Sequence, residues 1–323
     1  MKALSVFSGG LDSMLASELI RAQGIEVQAL FFETPFFPSP QAIKSAETIN
    51  LPIKVVDITE RHLEVVKRPK HGYGENMNPC IDCHTLMLRT AGEMLQEENA
   101  SFIISGEVLG QRPMSQNRKA LSLIAHESGF EGLILRPLSA RHLPLTTPEE
   151  KGWVNRDELT DFSGRSRKPQ MELARRLNIK EYPSPAGGCL LTDEVFSRRL
   201  KDLLSSGPNI ERREIELLRL GRHFRIGPKT KLIVGRNKKE NQAISSLSKE
   251  NDLILRTVSV PGPTALAIGK PSRHSEEMAT IIVVSYSDAD DNELTEVCLM
   301  TKGVDKVLRA KGKNKNELKR YLI

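Results

Sequence analysis

Short apolar runs broken by glycine turns, alternating with amphipathic stretches, set the pattern of the first 180 or so residues. Residues 4–7 form a run of buried-strand type that stops at Ser8, Gly9 and Gly10. Leu15, Leu19 and Ile20 recur at helical spacing, which predicts a helix over 13–22, closed by Gly24. The pattern then predicts strands over 25–32, 53–57 and 102–105 and helices over 40–49 and about 83–98. Strands alternating with helices argue for a parallel sheet with helices on both faces. In such sheets ligands sit beyond the carboxyl ends of the strands, where residues 8–13 fall.

Residues 137–164 carry little periodicity. Helices are expected again over 170–177 and 194–204, with a firm turn at 183–188 before Cys189. Ser206, Gly207 and Pro208 make the best linker, so two domains are expected, 1–206 and 207–323. The first is of α/β class and the second a smaller α+β domain.

Length agrees with two domains, since 323 residues exceed what one core usually fills. With 39% hydrophobic and 27% charged residues the chain is an ordinary globular one, neither disordered nor fibrous. Residues 1–7 are too short for a signal-peptide core, and no run approaches the roughly 20 apolar residues of a membrane span. A cytoplasmic protein with reduced cysteines and no membrane partner is expected. Charge is uneven: residues 201–323 carry 23 Lys and Arg against 16 Asp and Glu, whereas residues 1–200 carry 24 against 25. A basic C-terminal third points to an anionic partner, most simply nucleic acid; a solvated lysine surface is the alternative.

Ser8, Gly9, Gly10, Leu11, Asp12 and Ser13 lie between a predicted strand and a predicted helix. Backbone N–H groups of such a glycine turn, with the positive end of the helix, cradle an anion. The Gly-Lys-Ser/Thr of a Walker loop is missing, so no loop lysine reaches the outer phosphates. The hexamer resembles the SGGxDS signature of PP-loop ATP pyrophosphatases, which have a Rossmann-like fold and cleave ATP between its α and β phosphates. The resemblance implies ATP with Mg²⁺ as cofactors. It implies that Ser8, Gly9, Gly10, Leu11 and Ser13 hold the pyrophosphate portion, and that Asp12 supports the loop or the metal.

Cys80 and Cys83 form a Cys-x-x-Cys pair behind Asn78 and Pro79, and Cys189 adds a third thiol 106 residues beyond Cys83. Soft sulfur ligands favour zinc or an iron–sulfur cluster, and three thiols leave one position open. His84 is a candidate fourth ligand for zinc, whereas Cys298 has no partner motif and is expected to be a buried core thiol. Cys83 and Cys189 are similar in placement to the two working cysteines of tRNA thiouridine synthetases, a branch of the PP-loop family. Cys80 matches the three-cysteine branch, for which the resemblance implies a 4Fe–4S cluster held by Cys80, Cys83 and Cys189; cluster-free persulfide chemistry and structural zinc remain the alternatives.

Ser105, Gly106, Glu107, Val108, Leu109, Gly110 and Gln111, then Met114, Ser115 and Gln116, resemble the Gly-Glu-x-Leu-Gly-Gln…Ser-Gln block of 4-thiouridine synthetases. Gly106 allows close backbone approach, and Gln111 and Gln116 offer amides for a base or ribose. Residues 135–138 are similar to a following strand end, whose Arg136 is expected to face phosphate or to make a surface salt bridge.

Residues 221–241 hold seven Lys and Arg and one acid, a composition suited to phosphate contact. With Gly235, Arg236 and Asn237, and Pro261, Gly262 and Pro263 further on, this part resembles the NFACT RNA-binding domain. Arg222, His223, Phe224, Arg225 and Arg236 are the candidate RNA contacts, with Phe224 in the core as the alternative. Residues 281–286 are expected as a later strand.

Together these resemblances imply a tRNA thiolation enzyme that adenylates a uridine carbonyl oxygen and replaces it with sulfur, 4-thiouridine favoured over 2-thiouridine. The expected partners are tRNA and a sulfur source, sulfide or a cysteine desulfurase, and a homodimer is left open. With the loop starting at Ser8, the N-terminal RNA-binding module and rhodanese domain usual in 4-thiouridine synthetases are not expected. The competing functions are a PP-loop ligase or amidotransferase acting on a small molecule and a non-catalytic RNA-binding factor regulated by ATP.

Overall fold

The computed structural model describes residues 1–184, 189–207, 210–290 and 292–323. They form two compact units, Met1–Asp193 and Glu194–Ile323.

In the first unit the chain runs β1 (Lys2–Val6), α1 (Leu11–Arg21), β2 (Glu26–Glu33), α2 (Pro40–Thr48), β3 (Ile53–Asp57), α3 (Thr59–Lys67) and α4 (Cys80–Glu93). It continues through β4 (Phe102–Ser105), α5 (Arg118–Ser128), β5 (Ile134–Leu135), α6 (Thr147–Glu150) and α7 (Lys168–Arg176). The strands pair in the order β3-β2-β1-β4-β5, all parallel. Strand residues alternate between two apolar cores, as a pleat requires. Ala3, Phe102 and Ile104 pack with Met14, Leu15 and Leu173 of α1 and α7. Leu4 and Ile103 pack on the opposite face with Leu86, Leu88 and Ile124 of α4 and α5. Strand order reverses between β1 and β4, and in an open parallel sheet that switch point opens the ligand crevice. The α/β expectation with helices on both faces therefore holds.

α4 starts at Cys80, three residues before the expected start, so both Cys80 and Cys83 lie on its first turn. The periodicity reading passed over α3 and α5. The turn expected at 183–188 falls largely on residues 185–188, outside the described residues.

The second unit begins with α8 (Glu194–Ser205) and α9 (Arg212–Leu217), then β6 (Arg222–Gly227), β7 (Thr230–Val234), α10 (Lys238–Ser246), β8 (Leu253–Thr257) and β9 (Ala265–Gly269). It ends with α11 (Arg273–Ser285), β10 (Thr295–Thr301), β11 (Val304–Ala310) and α12 (Lys315–Leu318). Its sheet is antiparallel in the order β11-β10-β8-β9-β7-β6. One face packs Phe224, Leu255 and Val297 against Ala279, Ile282 and Val283 of α11. The other packs Ile233 and Leu266 against Ile244 of α10 and Leu217 of α9.

The boundary between the two units lies before α8, whereas the sequence places it at 206. α8 is tied into the second unit by Arg199, which donates to Leu218 O and Gly221 O, and by Asp202, which pairs with Arg225. Pro208 of the expected linker lies outside the described residues.

Two expectations are corrected here. Residues 281–286 are not a strand: the β-branched run from Ile281 to Val284 lies in the second half of α11. Ser272 caps that helix at Ser275 N, and Met278, Ala279, Ile282 and Val283 recur on its buried face. Cys298 is not a buried core thiol. Its neighbours Val297 and Leu299 fill the core, so period-two alternation turns Cys298 to the opposite, half-buried face of β10.

Candidate nucleotide and thiolation site

The loop after β1 closes on itself through its two serines. Ser13 Oγ donates to Gly10 O at 2.8 Å, and Gly10 N–H donates to Ser8 Oγ at 3.3 Å. Gly9 has φ +76°, and a Cβ there would stand 2.6 Å from Ala42 Cα, so only glycine fits. The first N–H groups of α1 have no carbonyl one turn back within the helix, which leaves donors at its positive end for an anion. The Leu11 side chain is 1% exposed in the core, so its backbone is the part that can serve a ligand.

The loop after β4 meets this one. A Cβ on Gly106 would lie 2.7 Å from Ser13 N and Cα, which puts the end of β4 against the first turn of α1. Gln111 Nε2 donates to Asp12 Oδ2 at 2.8 Å, and Gln111 Oε1 accepts from Gln170 Nε2 at 3.2 Å. Gln111, expected to read a base or ribose, has the nitrogen end of its amide on Asp12 and the oxygen end on Gln170. Asp12 Oδ1 is buried with no hydrogen-bond partner among the described residues. Burial pushes the Asp12 carboxyl above its usual range, opposed by the Gln111 bond and by the charges of Arg167 and Arg112. An orphaned carboxylate oxygen beside an anion cradle fits Mg²⁺, a hard cation that favours oxygen donors.

Beside Gly106 lies a buried network that the sequence reading missed. Glu107 accepts from Arg136 Nε at 2.9 Å through one oxygen and bonds His84 Nδ1 at 2.8 Å through the other. Burial alone would raise the Glu107 pKa, but the Arg136 guanidinium and His84 together hold it down to about 2. Arg136 also donates to Leu121 O and is 7% exposed. It faces neither phosphate nor solvent, because its charge is spent inside.

The segments that carry the cysteines are stitched side by side. Met77 N–H donates to Leu191 O at 3.2 Å and Asn76 Nδ2 to Thr192 O at 2.6 Å, which binds the stretch before Cys80 to the turn after Cys189. Cys83 is buried, Cys80 and Cys189 are half-buried, and none of them is in a disulfide. Burial pushes the Cys83 thiol well up, and Cys189 and then Cys80 add to that through space. Burial also raises Cys80, with Arg112 opposing, so Arg112 acts on both Asp12 and Cys80. Among the described residues no group of three His, Cys, Asp or Glu side chains is disposed around a single metal ion. Cys189 and Cys80 each lie within electrostatic reach of Cys83, and soft sulfur donors of this kind suit iron–sulfur or zinc chemistry.

In the second unit the candidate RNA residues divide. Arg222 lies over the Tyr286 ring at 4.7 Å, Arg225 pairs with Asp202 at 2.5 Å, and Arg236 pairs with Glu240 at 2.5 Å. All three keep some exposure. His223 is corrected: it is 0% exposed, and its Nε2 bonds Leu217 O and Leu220 O, so it cannot meet RNA. Phe224 is also fully buried, in the core.

Arg112, Arg167 and Gln170 are further residues at the site that the sequence reading did not single out. The basic run at 165–168 was the available signal, but it lies next to a stretch without periodicity.

Residues 1–142 match the family model described as thiamine biosynthesis protein (ThiI), and residues 221–322 match that of the NFACT protein RNA binding domain. Among curated relatives, a probable tRNA sulfurtransferase of Streptococcus suis is 30% identical over 119 residues, 34% of this chain and 28% of that protein. Another from Anoxybacillus flavithermus is 30% identical over 146 residues, 42% of this chain and 35% of the relative. The matches therefore span about a third of the length of these relatives. Among solved structures, a 4-thiouridine synthetase–RNA complex with bound ATP has a TM-score of 0.35 at 20% identity, covering 55% of this chain and 51% of that one. The C-terminal part of a fibronectin/fibrinogen-binding protein from Streptococcus suis has a TM-score of 0.29 at 14% identity, covering 82% and 98%. The resemblance carried by the glycine loop and by the Gly-Arg-Asn block holds: residues 1–142 are ThiI-like, and residues 221–322 are like the NFACT RNA-binding domain, whereas Cys189 lies outside both matched ranges.

Proposed function

We propose that the chain is an ATP-dependent tRNA thiolation enzyme that makes 4-thiouridine in preference to 2-thiouridine. The observation that carries this reading is the pairing of Gln111 with Asp12 at the switch point, which joins the nucleotide loop to the block shared with 4-thiouridine synthetases. The three thiols on adjoining segments supply a second chemistry that a simple ligase would leave idle.

In the proposed reaction a uridine carbonyl oxygen attacks the α-phosphorus of ATP. The bond to the β-phosphate oxygen breaks and pyrophosphate leaves. Sulfide sulfur then bonds to the activated ring carbon, the carbon–oxygen bond breaks, and AMP departs with that oxygen. The N–H groups at the start of α1, with Ser8 and Ser13, bind the phosphate oxygens. Asp12, oriented by Gln111, would hold Mg²⁺ through Oδ1, and that ion supplies charge neutralisation at the phosphates. Cys80, Cys83 and Cys189 would hold a 4Fe–4S cluster, which supplies a binding position for sulfide. The exposed arginines of the second unit bind the tRNA backbone, with sulfide or a cysteine desulfurase as sulfur source.

The test has two arms. Pyrophosphate release from ATP by the full chain should depend on added tRNA, and tRNA from cells lacking the protein should lose one thionucleoside. Release that ignores tRNA, with unchanged thionucleosides, would overturn the proposal.

A further inference from the structure

Residues 67–74 hold Lys67, Arg68, Lys70, His71 and Tyr73 and no Asp or Glu, in a part of the chain whose charges otherwise nearly balance. The segment leads from α3 to α4, and α4 opens on the Cys-x-x-Cys pair. Asp82, between those two cysteines, fastens it. One carboxylate oxygen accepts from Lys70 N–H at 3.2 Å and the other from His71 N–H at 3.0 Å. Gly74 N–H donates to Asn78 O at 2.9 Å and closes the loop just before Cys80. A basic loop that carries an aromatic ring is thereby fixed to the turn that bears two of the thiols.

The same loop runs along α5. Glu127, near the end of that helix, takes Lys70 Nζ at 2.6 Å and His71 Nε2 at 3.0 Å. Toward its start, a Cβ on Gly74 would stand 3.1 Å from Cε of Met114, which precedes α5. α5 turns Ala120, Leu121, Ile124 and Ala125 inward, which leaves Arg118, Lys119 and His126 outside, where they line a shallow depression of about 510 Å³. Lys70 and His71 are spent on Glu127, whereas Arg68, Arg118 and Lys119 are exposed and in no ion pair among the described residues. Tyr73 is 41% exposed, and its hydroxyl donates to Val66 O at 2.5 Å, so the ring is held at its tip and stays open to solvent. Exposed cations flanking a fixed, open ring suit RNA, whose backbone is anionic and whose unpaired bases stack. An acidic protein surface would take the cations and leave the ring without a task.

We propose that residues 67–74 and the outer side of α5 form an RNA surface within the first unit: Arg68, Arg118 and Lys119 contact backbone phosphates, and Tyr73 stacks on an unpaired base. Because Asp82 ties the loop to the cysteine turn, RNA held there lies beside Cys80 and Cys83. The inference rests on the thiolation reading. It adds to the arginines of the second unit a contact within the unit that carries the nucleotide loop and the thiols.

The experiment is filter binding of an unmodified tRNA transcript to the full chain across a salt series, with ultraviolet crosslinking of the same complexes. The variants are Arg68→Gln, Arg118→Gln and Lys119→Gln combined in one chain, Tyr73→Ala, and Tyr73→Trp. The combined variant should weaken binding and flatten its salt dependence by about one unit of slope for each lost phosphate contact. Tyr73→Ala should weaken binding by about fivefold or more with the slope unchanged, and Tyr73→Trp should keep most of the affinity. The wild-type crosslink should map to the peptide that holds Tyr73. Wild-type affinity and slope in both the combined variant and Tyr73→Ala would overturn the surface, as would variants that bind RNA normally and lose only a sulfur-donor protein. A loss in the combined variant with none in Tyr73→Ala would overturn the stacking role. Wild-type pyrophosphate release that ignores tRNA overturns the thiolation reading itself, whereas tRNA-dependent release with normal binding by every variant overturns this surface alone.

Discussion

Gln111 Nε2 donates to Asp12 Oδ2 at 2.8 Å, and through this bond the loop after β4 fixes the acid of the loop after β1. One oxygen of Asp12 is thus given to Gln111, while the other is buried with no hydrogen-bond partner among the described residues. Gln111→Leu should remove the orientation and leave the fold, since Gly106 and the strand pairs are untouched. ATP-dependent pyrophosphate release should fall by about tenfold or more, with a smaller loss in AMP affinity. Steady-state rates beside AMP titration will check this; unchanged release would show that Asp12 needs no such support.

Glu107 gives a stability prediction with a definite pH window. Its pKa is held at about 2 in the folded protein against an ordinary value of 4.5, so its contribution is present above that ordinary value. It is lost as pH falls from about 4.5 toward 2. Glu107→Gln strands Arg136 in the interior, and breaking a buried pair in this way costs about 3–5 kcal/mol. Denaturant melts at neutral pH should show that loss. The gap between wild type and variant should narrow progressively as pH falls through the window.

Gly106→Ala tests the contact between the two loops. A Cβ at 2.7 Å from Ser13 N and Cα meets backbone, which has no rotamer to yield, so the first turn of α1 must shift. ATP binding should be lost or weakened by well over tenfold while the far-ultraviolet circular dichroism stays that of the wild type. A variant that binds ATP normally would mean that the two loops do not meet as described.

Much of this was legible from residues, and the failures have physical causes. The β1–α1 turn was readable because glycine placement and apolar runs are local signals. The Cys-x-x-Cys pair was readable too, but its coming together with Cys189 depends on hydrogen bonds between residues 76–77 and 191–192, which no periodicity announces. Gln111 has the residue type of a ligand reader, and its bonds to Asp12 and Gln170 depend on the meeting of three segments, which no local pattern announces. Arg136 and His223 are charged or polar types usually found outside, and each was assigned a solvent-facing task. Burial with satisfied donors overrides residue type at both. Residues 281–284 misled because a β-branched run has strand propensity, whereas packing of α11 against its sheet decided for helix.

The cluster is tested by purification without oxygen. The protein should be brown, and iron should fall sharply in Cys80→Ala, Cys83→Ala and Cys189→Ala. Cys298→Ala should keep its iron, because that residue lies on β10 in the other unit. Colourless protein with one equivalent of zinc would sink the iron–sulfur proposal. Colourless protein without metal would favour persulfide chemistry at Cys83 and Cys189.

The final prediction separates RNA contact from folding within one short strand. Arg222 and His223 are neighbours on β6, yet the first keeps solvent contact beside Tyr286 and the second is sealed against Leu217 O and Leu220 O. Burial pushes the His223 pKa well below the usual histidine range, with Lys231 and Arg199 adding to it, so the ring stays neutral. Arg222→Gln and Arg236→Gln should therefore weaken tRNA binding through charge alone. Each should flatten the dependence of affinity on salt by about one unit of slope for a lost phosphate contact. Arg236→Gln also frees Glu240, which caps Gly221 and Arg236 backbone N–H groups, so its melting temperature must be followed alongside. His223→Gln should do the opposite: lower the melting temperature and leave the salt slope of the folded fraction unchanged. Filter binding across a salt series, with thermal melts of the same samples, reads both effects. A reduced slope in His223→Gln, or none in Arg222→Gln and Arg236→Gln, would mean that RNA does not meet this end of β6 and β7.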